Sequence, residues 1–492
     1  MSISLRELLK NLPGARLLGE GDPEVSGIAY DSRRVRPGEL FVCVRGASHD
    51  GHRFAAEAVA KGARALIVEE PLGLGVPEVV VASSRAAMGA AAAAFHGFPS
   101  RRLRMIGVTG TNGKTTTTYL VRSALERAGM RTGLIGTVEQ VTGAGRREAS
   151  RTTPESVEIQ ALLAEMVRSG CRACVMEVSS HGLALNRTAG TEFDVAIFTN
   201  LTHDHLDFHN NLEDYLEAKA RLFRSLISAE RTGLKAEKRA IINADDPRAS
   251  RFIEASSAPV ITYGIEREAD FRAESIEVGP KGARYVARTP VGPVEVRLRL
   301  PGRFNVYNSL AALATACAEG ADLEAAAAGI AETRFEPVDE GQPFAVVVDY
   351  AHAPDSLENV LRTARSLTEG RLICVFGAGG DRDRSKRPVM GRVAALLADV
   401  VFITSDNPRS EDPAAICAEI AAGAEGAARL EVVVDRREAI RRAIGEAEPG
   451  DFVLIAGKGH ETYQEVKGVK VHFDDREEAA LAIRGRMNRG AR

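Results

Sequence analysis

The sequence predicts an α/β protein of about three domains, and three observations carry that reading. An apolar run from Met105 to Val108 enters a glycine loop and passes at once into a helical pattern. In the last third, further apolar runs each end in a loop rich in glycine and charge, the layout of a crevice at the carboxyl ends of a parallel sheet. The length, 492 residues, exceeds what one core supports.

Composition narrows the function classes. The net charge is -3 and there is no Trp, so neither a basic field nor a stacking surface recruits nucleic acid. No apolar run approaches transmembrane length and the N-terminus lacks a signal layout, so a cytoplasmic protein with no membrane insertion is expected. Six scattered cysteines with apolar neighbours suit buried thiols in a reducing compartment. Cys171 and Cys174 have C-x-x-C spacing, but no second Cys or His pair accompanies them. They lead into an apolar strand and are read as packing.

Taken in order, residues 1–99 alternate short strands and helices. A strand is expected over 38–44, a polar glycine loop over 46–52, a helix from 53 to about 61 and a strand over 65–68. Asp31, Ser32, Ser48 and His49 offer donors and acceptors to a polar ligand, and equally serve as turn caps. Pro99 to Arg102 reads as a linker.

The stretch 104–116 then makes an anion site. Backbone N–H groups and the positive end of a helix face one point, and Gly107, Gly110 and Gly113 let phosphate approach. The pattern is G-x-x-G-x-x-G-K-T, a variant of the strict P-loop with Val108 where the first glycine belongs. Lys114 would reach the β- and γ-phosphates and the Thr115 hydroxyl would ligate Mg²⁺. Leu120, Val121, Ala124 and Leu125 share a helix face, and Gly129 stops the helix.

Further along, Pro154 is expected to open a helix, and the buried strand 173–178 places Glu177 at its carboxyl end as a second Mg²⁺ contact. The loop 202–209 carries His203, Asp204, His205, Asp207 and His209. These residue types suit zinc as well as Mg²⁺; Thr115 and Glu177 favour Mg²⁺ with His205 near it. Lys219 falls on a helix, where a lysine is ordinarily solvated. Alternation over 259–300 predicts an antiparallel β excursion, and Asn305 and Asn308 open an alanine-rich helix. Strands ending at Val348, Phe376, Thr404 and Ile455 precede the polar loops 349–352, 377–383, 405–409 and 456–461. The glycines at 377, 379 and 380 lack the full dinucleotide spacing, so NAD is discounted.

These motifs, in this order, resemble the Mur ligases of peptidoglycan synthesis, and among them the diaminopimelate-adding members. The resemblance rests on residues 107–116, 152–154, 176–182 and 204–207, on Lys219, Asn305 and Asn308, and on 349–352, 406–409 and 457–461. It implies a UDP-binding α/β domain (1–99), a central P-loop ATPase domain with a parallel-sheet core (100–334) and a Rossmann-like C-terminal domain (335–492). It implies that Gly110, Thr111, Asn112, Gly113, Lys114, Thr115, Thr116, Asn305, Arg334, Asp349 and His352 bind ATP. Tyr30, Ser32, Ser48 and His49 contact the UDP end of UDP-N-acetylmuramoyl-L-Ala-D-Glu, and Thr152, Thr153, Ser179 and Arg187 position its peptide. Arg382, Asp406, Asn407, Pro408, Arg409, Gly457 and Glu461 hold meso-diaminopimelate, with Arg409 on the carboxylate that lysine lacks. Thr115, Glu177, His205 and Lys219, the last matching the family's carbamylated lysine, hold Mg²⁺; Lys114, Glu177, His205 and Lys219 are the catalytic set. The implied reaction is amide synthesis through an acyl phosphate, by a monomer.

Two departures stand out: Glu332-Thr333-Arg334 replaces a Pro-Gly-Arg turn, and Ala353 replaces a threonine. Alternative readings are a lysine-adding or folate-polyglutamating relative, a P-loop kinase or regulatory ATPase, and a non-catalytic UDP-sugar module that would leave Lys114 and Glu177 unexplained.

Overall fold

The computed structural model describes residues 2–46, 49–149, 151–202, 208–227, 237–279, 282–333, 338, 340–459 and 461–490. Three main sheets follow one another along the chain. The first runs Arg16–Leu18, Glu78–Val80, Ala65–Val68, Leu40–Val42, Ile28–Ala29, parallel except for its first pair. The helix Ser84–Phe95, capped by the Ser83 hydroxyl, packs Ala87, Met88 and Ala91 against Leu40, Val42 and Ile67. The helix expected from residue 53 splits into a 3₁₀ turn, Gly51–Phe54, and a short helix, Ala55–Ala60, because Asp50 caps the His52 N–H and tightens the entry. The expected linker at Pro99 is instead a packed 3₁₀ turn, Pro99–Arg102, with Pro99 and Ser100 buried and the Arg101 guanidinium 4.3 Å above the Phe98 ring.

The central sheet has eleven strands. The strand Arg104–Thr109 lies between Ala173–Glu177 and Val195–Phe198, parallel to both and buried throughout. Such a strand must be apolar on both faces, and helices cover both. One face carries Leu120, Val121 and Leu125 of Lys114–Arg127 with the alanine-rich helix Arg303–Ala318; the other carries Ile159, Leu163, Tyr215 and Phe223. Ser156–Arg168 starts two residues after Pro154, at a turn where the Glu158 carboxylate accepts from the Glu155 N–H. The β excursion begins later than predicted. The helix Ala249–Ala255 is a crossover that makes Val260–Gly264 parallel to Arg239–Asn243, and antiparallel pairing starts only between Phe271–Gly279 and Gly282–Arg288.

The third sheet is all parallel, ordered Ala345–Asp349, Phe452–Ala456, Leu372–Phe376, Val400–Ile403, Leu430–Val432. Sequence reading placed four strands of this unit but not its helices, the edge strand Leu430–Val432 or the hairpin Tyr463–Val466 with Val469–His472; the helix Asp475–Gly490 is among those it missed. That helix is pinned by the buried Arg436, whose Nε and Nη2 each donate to the Asp475 carboxylate at 2.7 Å while Nη2 also reaches the Ala456 carbonyl.

All six cysteines are free thiols, and five are buried, Cys171 and Cys174 among them. Burial pushes the Cys43 thiol up to about 12 and the Cys417 thiol up to about 11. Among the described residues no helix is long and apolar enough to cross a membrane.

Candidate active site

The P-loop is held open from behind. Gly110 has no room for a side chain: a Cβ there would lie 1.9 Å from the Thr199 hydroxyl. Gly113 adopts φ +83, and a Cβ would meet the Asn308 side-chain oxygen at 2.5 Å. Asn200, which the sequence reading did not single out, clamps the loop: its side chain accepts from the Asn112 N–H at 2.9 Å and donates to the Asn112 carbonyl at 3.1 Å. The Thr111 hydroxyl sits 3.1 Å from the Tyr215 hydroxyl, and Thr116 lies on the first helical turn. Behind the helix start, Asn308 donates to Asn305, and Asn305 donates to the Pro301 carbonyl. The Lys114 ammonium is folded back onto the Gly110 and Thr111 carbonyls at 3.0 and 2.7 Å, poised over the loop.

Lys219 is not a solvated helix lysine. It is 1% exposed, donates to the Gly110 carbonyl at 2.8 Å and lies 4.4 Å above the Tyr215 ring. Lys114 and Lys219 therefore converge on one peptide oxygen from two elements. Across the loop, the Thr115 hydroxyl donates to Glu177 at 3.0 Å, while the Thr137 N–H and hydroxyl donate at 2.8 and 2.9 Å. Burial pushes the Glu177 carboxyl up, against the Thr137 and Thr115 hydrogen bonds and the nearby Lys114 charge. A buried carboxylate beside a threonine hydroxyl at a P-loop is an oxygen donor set that fits Mg²⁺. His205 and the rest of 203–207 lie outside the described residues, as do Ser48, Arg334 and His460.

A second group surrounds the strand end at Glu177. The Thr153 hydroxyl donates to the Glu177 carbonyl at 3.0 Å and lies 3.1 Å from the Ser179 hydroxyl, and Arg187 donates to the Thr153 carbonyl. The Thr152 hydroxyl lies 3.0 Å from the Thr137 hydroxyl. Glu155 gathers three guanidinium groups, Arg85 and Arg187 at 3.0 Å and Arg151 at 3.3 Å. Of the residues expected at the UDP end, Tyr30 is turned to this group, donating to Glu158 at 2.8 Å. Ser32 is buried and donates to Glu57, and His49 is exposed.

The C-terminal loops form a third group. The Asp406, Asn407 and Pro408 side chains are buried, and Asn407 donates to Glu461 at 2.6 Å. Arg409 takes φ +51 and donates to the Gly380 carbonyl at 2.6 Å. A Cβ on Gly379 would come within 2.9 Å of the Arg409 guanidinium, and one on Gly457 within 2.9 Å of the Asp406 carboxylate. Arg382, by contrast, is exposed and donates to its own loop at the Asp381 carbonyl. Burial pushes the Glu461 carboxyl up, with Asp406 beside it adding to the effect. Asp349 ends its strand with its carboxylate turned to the Ala351 N–H, and His352 packs on Tyr350, ring to ring at 4.6 Å. The Tyr350 phenol is pushed up, by burial first and then by the charges of Glu461, Asp406 and Glu177.

Three family models match the chain in order. They are Mur ligase family, catalytic domain, over 24–105; Mur ligase middle domain, over 108–316; and Mur ligase, glutamate ligase domain, over 333–459. The chain is 48% identical over 490 residues to a UDP-N-acetylmuramoyl-L-alanyl-D-glutamate–2,6-diaminopimelate ligase of Geobacillus kaustophilus, covering 98% of this chain and 100% of that protein. It is 47% identical to the protein of the same name from Syntrophomonas wolfei, covering 99% and 100%. A solved structure of a UDP-N-acetylmuramoyl-L-alanyl-D-glutamate–2,6-diaminopimelate ligase superposes with a TM-score of 0.69 at 34% identity, over 99% of this chain and 100% of that one. With a P-loop, a buried acid at the adjacent strand end and three consecutive α/β units all matched, the chain belongs to the Mur ligase family.

Proposed function

We propose that this chain is an ATP-dependent ligase that joins meso-diaminopimelate to the D-Glu carboxylate of UDP-N-acetylmuramoyl-L-Ala-D-Glu, releasing ADP and phosphate. Residues 1–99 take the UDP end, 100–334 bind ATP and 335–492 bind the amine, in a cytoplasmic monomer. The observation that carries the reading is the P-loop itself, where Lys114 and the buried Lys219 both donate to the Gly110 carbonyl and the Thr115 hydroxyl donates to the buried Glu177.

The D-Glu carboxylate lies against Thr153, Ser179 and Arg187, whose hydroxyls and guanidinium orient it toward the P-loop. Lys114 leaves its two carbonyl partners to follow the γ-phosphoryl as it passes to that carboxylate, and the loop N–H groups stabilise the oxygens it leaves behind. Thr115 and Glu177, with His205 and a carbamylated Lys219, would hold Mg²⁺, which would supply charge neutralisation at the phosphates. Carbamylation gives Lys219 the oxygens that an ammonium lacks. The acyl phosphate is then open to the neutral amine: nitrogen adds to the carbonyl carbon, phosphate leaves with the C–O bonding pair, and the nitrogen's proton passes to the departing phosphate. Asp406 and Glu461 face the ammonium end of the incoming zwitterion, and the Arg409 fork pairs with its distal carboxylate.

Mass spectrometry of products from UDP-N-acetylmuramoyl dipeptide, ATP and either meso-diaminopimelate or L-lysine tests this. A new amide with diaminopimelate is expected. Nucleotide turnover that never joins the two organic substrates would overturn the reading.

A further inference from the structure

Lys458 sits in the motif 457–461 and has no place in the mechanism above, yet it is 0% exposed. A buried ammonium needs partners, and those of Lys458 are Asp406, Asn407 and Glu461 of the proposed amine pocket and the neighbouring Tyr463 carbonyl. It donates to the Asn407 side-chain oxygen at 3.2 Å, to Glu461 at 3.4 Å and to the Tyr463 carbonyl at 2.5 Å, and lies 3.9 Å from the Asp406 carboxylate. Three otherwise separate parts therefore meet on one nitrogen: the loop 405–409, the turn at Glu461 and the start of the hairpin Tyr463–His472.

We infer that Lys458 is the positioning residue that sets the shape and charge of the diaminopimelate pocket by locking the 405–409 loop to the hairpin. The inference rests on the function proposed above. The chain of contacts is explicit. With its oxygen occupied by Lys458 and by the Glu465 N–H at 2.9 Å, the Asn407 amide has its NH₂ end directed at Glu461. Past Asn407, the Arg409 N–H donates to the Glu465 carbonyl, and the Lys467 N–H donates back to Arg409. The hairpin thus holds Arg409 by both backbone groups in its left-handed conformation, and the side chain is left to reach the Gly380 carbonyl. Lys458 also leaves the pocket with one positive charge against two carboxylates. Its charge opposes the burial and the Asp406 charge that together push the Glu461 carboxyl up.

Two variants separate positioning from general support. Lys458→Met keeps the length and removes both the charge and the donors; Lys458→Gln keeps a donor and removes the charge. For Lys458→Met, KM for diaminopimelate is expected to rise about 10- to 100-fold, while KM for ATP stays within about twofold. Lys458→Gln falls between it and wild type in KM. In both variants the acid limb of kcat/KM for diaminopimelate moves to higher pH, because Glu461 loses the cation that favours its ionised form. A role in folding alone would move both KM values together and leave the acid limb in place. Unchanged diaminopimelate parameters in both folded variants, or a parallel rise in KM for ATP, would overturn the inference. Should Lys458→Met fail to fold, the acid limb of Lys458→Gln decides the matter. Lack of any diaminopimelate ligation by the wild-type protein would instead remove the function itself.

Discussion

At the scale of single residues, Arg409 and Gly110 separate the two halves of the reaction. Arg409 is presented by its backbone at φ +51, and its guanidinium donates to the Gly380 carbonyl beside Gly379. Arg409→Ala removes a charge-assisted pair, so KM for diaminopimelate should rise about tenfold or more while KM for ATP does not change, as steady-state kinetics would read. Arg409→Lys should recover only part of the loss, because an ammonium cannot reproduce the planar fork. Gly110→Ala acts on the other half. Its Cβ would enter the space of the Thr199 hydroxyl, which also donates to the Asn112 carbonyl at 2.7 Å. The loop must shift, and nucleotide affinity measured by calorimetry should fall about 10- to 100-fold while diaminopimelate binding persists. Both residues were legible in the sequence because glycine and arginine each carry one dominant reason to be in such a loop. Asn200 and Tyr215 were not: asparagine after a strand and tyrosine on a helix have many ordinary uses, and only the fold brings them to the P-loop.

At the scale of elements, buried charge pairs hold the parts of the C-terminal unit in place. Arg436 joins the strand end at Ala456 to the helix Asp475–Gly490 and is fully buried with its partner. Arg436→Met strands the Asp475 carboxylate, and urea denaturation should show a loss of about 3–5 kcal/mol, with the terminal helix becoming the first site of proteolysis. A second buried guanidinium, Arg387, bonds Glu411 and the Gly379 carbonyl and so ties the glycine loop 377–380 to the helix Lys386–Leu397. The Arg387 hydrogen bonds hold the Glu411 carboxyl down at about 2, against an ordinary value of 4.5. Its contribution to stability is therefore complete above about pH 4.5 and is lost as the pH falls toward 2. Denaturation midpoints measured across that range should fall in wild type, with a shallower slope in Arg387→Met. Neither pair was visible beforehand, because the partners lie 39 and 24 positions apart and each residue alone reads as a surface charge. Strands and helices were legible where apolar periodicity was strong. Val260–Gly264 was misread as antiparallel, because alternation reports exposure and not strand direction.

At the scale of the whole molecule, the N-terminal unit meets the central one by close packing as well as polar contacts: a Cβ on Gly89 would lie 2.3 Å from the Ala189 carbonyl oxygen, and Val157 packs against the first unit's core. Tyr30 reaches Glu158 and Arg85 reaches Glu155 from the N-terminal unit. Such contacts guide docking and contribute little to the stability of each unit. The order of the units could be read from sequence, since it follows from strand–loop punctuation. Their mutual contacts could not, since these join residues 70 and 128 positions apart. The sequestered sulfur atoms have a practical consequence. Cys43 lies in the first sheet region, Cys174 in the second and Cys374 in the third, all shielded and all disfavoured as thiolates. An alkylating reagent can reach each only when its own unit breathes. Peptide-resolved labelling should then yield three independent clocks, and saturating nucleotide should slow the Cys174 clock most; a single shared rate would mean that the units open as one.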